Sequence, residues 1–264
     1  MSPPDASLPE IVPLLIARAE AFRRPRAGKV PGNLSFGEVQ ELSEILTAAF
    51  GAVGVRATIV GGGALTLQLP ALGGSRDLDV VLEHSTGLPP SPTLVGHMLR
   101  ELGFTKEAGR HWSLGSCFVE FPSGGIEEPV DVLGASGSQL RVLSIEAMLV
   151  QRIVSFQSTG STEHGIQAAI IIRSIGARLD MDRFEPLARK EGVVRHYNAL
   201  RVLALGVPSA SLDDGTLSAL YWALQPARVG ALEAVAAIAP TRVAPDGHAP
   251  PALAEPSSSI LPSA

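Results

Sequence analysis

Residues 60–83 read VGGGALTLQLPALGGSRDLDVVLE, and this stretch combines a glycine run with a pair of carboxylates. It predicts a short strand that ends at the glycines, a short helix that starts there, a Gly/Ser-rich turn and a second strand. Glycines at a helix start leave backbone N–H groups facing outward, which makes a ready anion site. The run is not a dinucleotide-binding fingerprint, because Thr66 stands where a third glycine belongs.

Two carboxylates, Asp77 and Asp79, lie two residues apart on the second predicted strand. Because side chains alternate along a strand, both project from the same face. Like charges placed in this way repel each other, and a bound divalent cation is the usual compensation, with Mg²⁺ suited to hard oxygen ligands. A phosphate cradle followed by a metal-binding carboxylate pair indicates phosphoryl or nucleotidyl chemistry on a nucleoside triphosphate.

The flanking sequence predicts two helices before this stretch, and a helix and several short strands after it. Ser35 caps the second helix, and Glu38 completes a capping box three residues later. Glycine and serine separate the later strands, as in a mixed or antiparallel sheet. The predicted helices are at 8–22, 35–50 and 91–102, and the later strands are at 104–106, 111–114, 117–121, 130–133 and 139–143.

From Ser144 onward the pattern turns helical, with helices predicted at 144–156, 163–175, 182–190, 193–205 and 212–225. The expected fold class is α+β: a mixed sheet with flanking helices, packed against a C-terminal helical bundle. We divide the chain into an N-terminal helix and basic loop (1–35), an α/β core (36–143), a helical region (144–239) and a Pro/Ser-rich tail (240–264). The tail is predicted to be disordered, because its composition cannot bury a core.

Composition excludes several classes of protein. A net charge of −5 gives no support to a protein that coats nucleic acid non-specifically. Cys117 is the single cysteine, so an intrachain disulfide and a multi-cysteine zinc site are excluded. No apolar run approaches the roughly 20 residues that span a bilayer, and the first residues lack the pattern of a secretory signal. We therefore expect a cytoplasmic protein with no membrane partner.

The glycines and carboxylates together resemble the pattern of the nucleotidyltransferase superfamily that includes DNA polymerase β. In that superfamily, Gly-Gly at a helix start precedes Asp-x-Asp on the next strand. Here the matching residues are Gly62 and Gly63, then Asp77 and Asp79. The resemblance implies the nucleotidyltransferase fold for residues 36–143.

Residues 55–205 also resemble one branch of that superfamily, the small prokaryotic nucleotidyltransferases related to abortive-infection (AbiEii-like) toxins. The matching segments are GGAL at 62–65, RDLDV at 76–80 and LSIE at 143–146, followed by Arg152. The branch tends to carry an acidic residue ahead of Gln-Ala in the next helix. Gln167 and Ala168 are present here, but His164 stands at the expected acidic position, with Glu163 beside it.

A third carboxylate on a later strand would complete the metal site that the resemblance implies. Glu120 and Asp131 both have apolar neighbours on the opposite face of their predicted strands, so either suits the role, and Glu120 is preferred. Asp77 and Asp79 would bind both Mg²⁺ ions, with the third carboxylate on the ion that activates the acceptor. That carboxylate could also act as the base that deprotonates the acceptor hydroxyl.

The reaction implied by the resemblance moves a nucleoside monophosphate from an NTP to a hydroxyl acceptor and releases pyrophosphate. Gly62, Gly63 and Arg76 would hold the triphosphate, and Arg152 would offset its charge. The acceptor would be tRNA or a protein, as for a toxin that is paired with an antitoxin partner. The alternatives are a small-molecule acceptor of the antibiotic type, and a non-catalytic member of the fold that binds a nucleotide or a partner without turnover.

Overall fold

One mixed sheet forms the centre of the structure, a computed structural model that describes residues 8–72, 74–134 and 139–225. Its seven strands lie in the order β3-β4-β5-β2-β1-β7-β6. The pairs β1–β7 and β2–β5 are parallel and the others antiparallel, so the predicted mixed sheet is confirmed. The strands are β1 (Val55–Val60), β2 (Asp77–His84), β3 (Thr105–Lys106), β4 (His111–Leu114), β5 (Cys117–Glu120), β6 (Val130–Leu133) and β7 (Leu140–Leu143).

Helices flank this sheet and continue after it, which confirms the α+β class with C-terminal helices. They are α1 (Leu8–Arg23), α2 (Phe36–Gly51), α3 (Gly61–Gln68), α4 (Pro92–Glu101), α5 (Ile145–Thr159), α6 (Thr162–Ile175), α7 (Met181–Lys190), α8 (Val194–Gly206) and α9 (Asp214–Leu224). Among the residues described, no helix combines the length and the apolar character that crossing a membrane requires. The predicted tail at 240–264 lies outside the described residues.

The start of α2 shows how local sequence sets these elements. Ser35 Oγ accepts a hydrogen bond from the N–H of Glu38, and the Glu38 carboxylate accepts one from the N–H of Ser35, so the predicted capping box forms. The apolar side of α2 is buried against β1, which stabilises the fold by roughly 1.5–3 kcal/mol for each large side chain. The residues of that side, each at most 1 % exposed, are Val39, Leu42, Ile45, Leu46 and Ala49.

The connection from β1 to α3 sets the position of the glycine run. β1 passes directly into α3 at Gly61, whose φ of +61° lies in the left-handed region that favours glycine. Two residues later, a Cβ at Gly63 would stand 2.6 Å from Leu78 Cδ1 of β2. Because Gly63 has no side chain, α3 can lie close against the sheet, with its first turn beside the start of β2.

The helical region and the α/β core share one hydrophobic core. Phe156 of α5 and Leu200 of α8 belong to the same cluster of buried side chains as Leu42 of α2 and Ile59 of β1. Helix α5 packs against both α3 and α6, near the end of β1 where α3 begins. The division of the chain at residues 35, 143 and 239 stays a prediction.

Candidate active site

Three carboxylates converge near the end of β1, where Val60 pairs with Asp79 of β2. Asp77 and Asp79 lie on one face of β2, and Asp79 stands beside Glu120 in the parallel pairing of β2 with β5. One oxygen from each of Asp77, Asp79 and Glu120 can be chosen so that all three lie within 4.8 Å of one another. Glu120 is the last residue of β5 rather than a mid-strand residue, because the strand ends one position earlier than predicted.

The electrostatics of this carboxylate cluster (Asp77, Asp79 and Glu120) fit a divalent cation. Burial raises the pKa of Asp79 to about 6, and the charges of Asp77 and Glu120 contribute to the rise, while Arg152 and His111 oppose it. The ionised form of Asp79 is destabilised by burial and by like charges, so a cation placed between the three groups would stabilise it. The donor set consists of carboxylate oxygens alone, which suits Mg²⁺.

Glu120 already has a partner on each of its oxygens. Arg110 Nη2 lies 2.7 Å from Glu120 Oε1, and His111 Nε2 lies 3.1 Å from Glu120 Oε2. His111 stands directly opposite Glu120 in the antiparallel pairing of β4 with β5. These two contacts hold the Glu120 carboxylate in place beside Asp79.

The other candidate for the third carboxylate, Asp131, is not brought to this cluster. It lies on β6, three strands from β2, which corresponds to about 14 Å at the usual strand spacing. Its Oδ1 accepts a hydrogen bond of 2.8 Å from Arg183 Nη1 of α7. The same arginine lies 3.8 Å from the buried Glu146, so Asp131 joins the sheet edge to the helical region.

The glycine run contributes two residues to a cleft of about 390 Å³ next to the carboxylates. Gly61 and Gly62 line the cleft, where a Cβ at Gly61 would overlap Asp79 Oδ2 and one at Gly62 would overlap Ser75 Oγ. Gly63, to which the family pattern gives a role in holding the triphosphate, does not line it. Gly63 faces Leu78 instead, so its glycine character is explained by packing of α3 on the sheet.

The opposite wall of the cleft is formed by α5 and α6. Arg152 lines it together with Glu163, His164 and Gln167. The Nε of Arg152 is buried without a hydrogen-bond partner, and burial lowers the pKa of its guanidinium while Asp79 and Glu163 oppose that effect. Burial and the charge of Arg152 both lower the pKa of His164. His164 is therefore unsuited to carry positive charge there, and Arg152 is the cation of this wall.

Arg76 gives the cleft a second cation, next to Asp77 at the start of β2. Three other polar side chains of the lining, those of Asn33, Thr66 and Ser75, are not among the residues predicted from the sequence. Thr66 directly follows the GGAL segment and Ser75 directly precedes RDLDV, so their positions in the sequence are the signal for them. No sequence pattern indicates Asn33 as a cleft residue. It reaches the cleft because its neighbour Leu34 forms a backbone bridge with Ser75, with N···O distances of 2.6 and 3.1 Å.

The raised pKa of Asp79 predicts a pH-dependent stability of the metal-free protein. Between its ordinary value of 3.8 and about 6, the folded state binds more protons than the unfolded state, so the free energy of unfolding falls as the pH rises. The shift corresponds to at most about 3 kcal/mol. In Asp79→Asn, the decrease in the free energy of unfolding that Asp79 causes should be absent. Urea unfolding in EDTA from pH 4 to 7 measures the difference, and parallel profiles for the two proteins would contradict it.

No protein-family model matches this chain, and no curated protein matches it either. Two solved structures are similar to it. One is an antigenic nucleotidyltransferase-like protein from Paracoccidioides brasiliensis, with 18 % identity, a TM-score of 0.42, and coverage of 77 % of this chain and 95 % of that one. The other is the antibiotic-resistance factor ANT(2'')-Ia, with 16 % identity, a TM-score of 0.35, and coverage of 78 % and 100 %. At this level of similarity, the chemistry of the cleft has to follow from its own side chains.

Proposed function

We propose that this protein is a Mg²⁺-dependent nucleotidyltransferase that moves a nucleoside monophosphate from an NTP to a hydroxyl acceptor. The observation that carries the proposal is the carboxylate cluster, with Asp77, Asp79 and Glu120 oxygens within 4.8 Å, next to a cleft that three glycines and two arginines line. Three carboxylates beside a cleft that also holds two arginines suit reactions of phosphate esters better than acyl or hydride chemistry.

Four of the cleft residues would hold the triphosphate. Gly61 and Gly62 would let phosphate oxygens approach the backbone at the start of α3, where N–H groups have no partner within the helix. Arg76 and Arg152 would bind phosphate oxygens from two sides, and Arg152 would contribute most because it is partly desolvated. Gly63 would take no part beyond holding α3 against β2.

The carboxylates would bind the metal and prepare the acceptor. Asp77, Asp79 and Glu120 would be its ligands, and bound Mg²⁺ would supply the charge that polarises the α-phosphate and activates the acceptor oxygen. Glu120 would take the proton of the acceptor hydroxyl as its oxygen bonds to the α-phosphorus. The bond between the α-phosphorus and the bridging oxygen then breaks, and the electron pair leaves with pyrophosphate, whose negative charge Arg76 and Arg152 would offset.

The acceptor that we propose to test first is a hydroxyl of tRNA or of a protein, as in a cytoplasmic toxin with an antitoxin partner. A small-molecule acceptor of the antibiotic type is the alternative within the same chemistry. One observation favours a second candidate, a protein that binds nucleotide without turnover. Both Glu120 oxygens already contact Arg110 and His111, and these partners reduce the negative charge that Glu120 can offer to a metal.

The test incubates the pure protein with Mg²⁺, each α-labelled NTP and total RNA. Label that passes to RNA or to protein with the wild type, but not with the Asp77→Ala/Asp79→Ala double variant, is the expected result, and it names the acceptor class. Release of labelled pyrophosphate from a γ-labelled NTP, measured with a panel of hydroxylated small molecules, covers the third acceptor class.

The non-catalytic alternative predicts a different combination of results. An NTP with Mg²⁺ would raise the melting temperature of the wild type, yet no acceptor would take up label and no pyrophosphate would form. That combination would overturn the proposed transfer reaction.

A further inference from the structure

A second pocket, of about 460 Å³, lies on the opposite face of β2, β4 and β5, and none of Asp77, Asp79 and Glu120 lines it. Its walls are apolar: they contain Leu82 of β2, Trp112 of β4, Phe121 just after β5, and four prolines. Leu82 and Trp112 are buried at 5 % and 6 % exposure, so they form a fixed floor. The volume falls in the range of about 300–1,000 Å³ that is typical of small-molecule sites.

The alternation of side chains places this pocket on the face of the sheet opposite to the carboxylate cluster. Leu82 projects from the same face of β2 as Leu78, whereas Asp77 and Asp79 project from the other. Trp112 stands opposite Val119, the neighbour of Glu120 on β5, and therefore also projects away from the cluster. An occupant of this pocket is for that reason distinct from the NTP and from the acceptor.

The charged groups that line the pocket, within the described part of the chain, are two cations. Lys106 and Arg110 line it, and no described carboxylate does, although the chain as a whole carries a net charge of −5. Lys106 Nζ lies 4.9 Å from the centroid of the Trp112 ring and donates a hydrogen bond of 2.6 Å to the carbonyl of Gly109. These contacts hold the ammonium over the aromatic floor.

Arg110 is also held in place at the pocket. Its Nη2 lies 2.7 Å from Glu120 Oε1, which anchors one corner of the planar guanidinium. A guanidinium has five N–H donors, so further donors can serve a ligand. An anchored cation costs less side-chain entropy on binding than a free one, because part of its motion is already lost.

We propose that this pocket binds a small organic anion with a flat apolar body. The apolar body would lie against Trp112 and Phe121, and the anionic group would bind between Lys106 and Arg110. The choice of an anion follows from Lys106, which has no salt bridge to a described carboxylate, and from the Arg110 donors that its contact with Glu120 leaves over. The choice of a flat body follows from the aromatic and proline walls.

The test uses Trp112 as the reporter and 4-phenylbutyrate as the probe. The chain has two tryptophans, so Trp222→Phe, a change at a residue that is 55 % exposed on α9, leaves Trp112 alone. In that background we expect saturable quenching of Trp112 by 4-phenylbutyrate. The uncharged 4-phenylbutyramide, with the same body, should bind at least about tenfold more weakly, because it lacks the charge-assisted hydrogen bonds.

Two variants assign the charge effect to its residues. Lys106→Gln/Arg110→Gln should weaken binding of the anion about tenfold or more and leave binding of the amide unchanged. Arg100→Gln, at an exposed arginine of α4 that does not line the pocket, is the matched control and should change neither. Circular dichroism of each variant checks that it folds.

Three results would overturn the proposal. They are equal affinity for the acid and the amide in the otherwise unaltered protein, no saturable response of Trp112, and an anion affinity that the Lys106→Gln/Arg110→Gln change leaves intact. The first two need no charge variant, so they stand even if the double variant fails to fold. Equal affinity would mark the pocket as an apolar groove for a neutral partner.

Discussion

Asp77→Asn and Asp79→Asn should each lower the rate of nucleotidyl transfer by about a thousandfold or more, and both variants should still fold. Each change replaces a charged carboxylate ligand with a neutral amide, a weaker ligand, but keeps the shape of the side chain. Metal-dependent charge stabilisation contributes several kcal/mol to a phosphoryl-type transition state, and about 4 kcal/mol corresponds to a thousandfold. Because Asp79 is strained by burial and by its two neighbours, Asp79→Asn should also be more stable than the wild type in EDTA at pH 7.

The rate is measured as label transferred at saturating NTP and Mg²⁺, and Mn²⁺ binding by calorimetry gives a readout that does not depend on the acceptor. Asp131→Asn is the matched control, because it removes the same group from a strand of the same sheet. It removes the charge from the ion pair with Arg183, so we expect a loss of stability of up to about 1 kcal/mol with transfer and metal binding unchanged. Full transfer by both variants at Asp77 and Asp79 would contradict the assigned metal site, and loss of transfer in Asp131→Asn would restore Asp131 as the third carboxylate.

Gly61→Ala should lower transfer by about a hundredfold and weaken metal binding, although it adds only one methyl group outside the carboxylates. The φ of Gly61 is +61°, a conformation that costs an L-residue about 1–2 kcal/mol. The new Cβ would also overlap Asp79 Oδ2, so the carboxylate or the turn must move. A displacement of about 1 Å in a reacting geometry can cost about a hundredfold in rate.

Gly37→Ala provides the control for this substitution. Gly37 lies in the first turn of α2, its φ is not in the left-handed region, and a Cβ there would meet nothing within 4 Å. It should leave transfer and metal binding unchanged and should stabilise the protein by up to about 1 kcal/mol. Mn²⁺ affinity and transfer rates are compared for the two variants. A Gly61→Ala protein with wild-type metal affinity would contradict the close approach of Asp79 to the turn.

Much of the local structure could be predicted from the chain because its signals are local. Ser35 and Glu38 lie within one helical turn, so the capping box was visible as a sequence pattern and forms as predicted. Asp77 and Asp79 share a face because strand side chains repeat every two residues, which holds whatever the strand pairs with. The class of the fold followed from the order of such elements.

The assignments that needed distant parts of the chain were incomplete for a physical reason. Glu120 and Asp131 look alike in sequence, and the difference between them is strand order: β5 pairs with β2 in a register that sets Glu120 beside Asp79, while β6 lies beyond β1 and β7. In the sequence, Gly63 resembles a phosphate-binding glycine. In the structure it packs against Leu78, which explains why a glycine is needed there. Periodicity and capping depend on a few neighbouring residues, so a short stretch of sequence is enough to predict them. Register, strand order and close packing result from contacts between segments far apart in the chain.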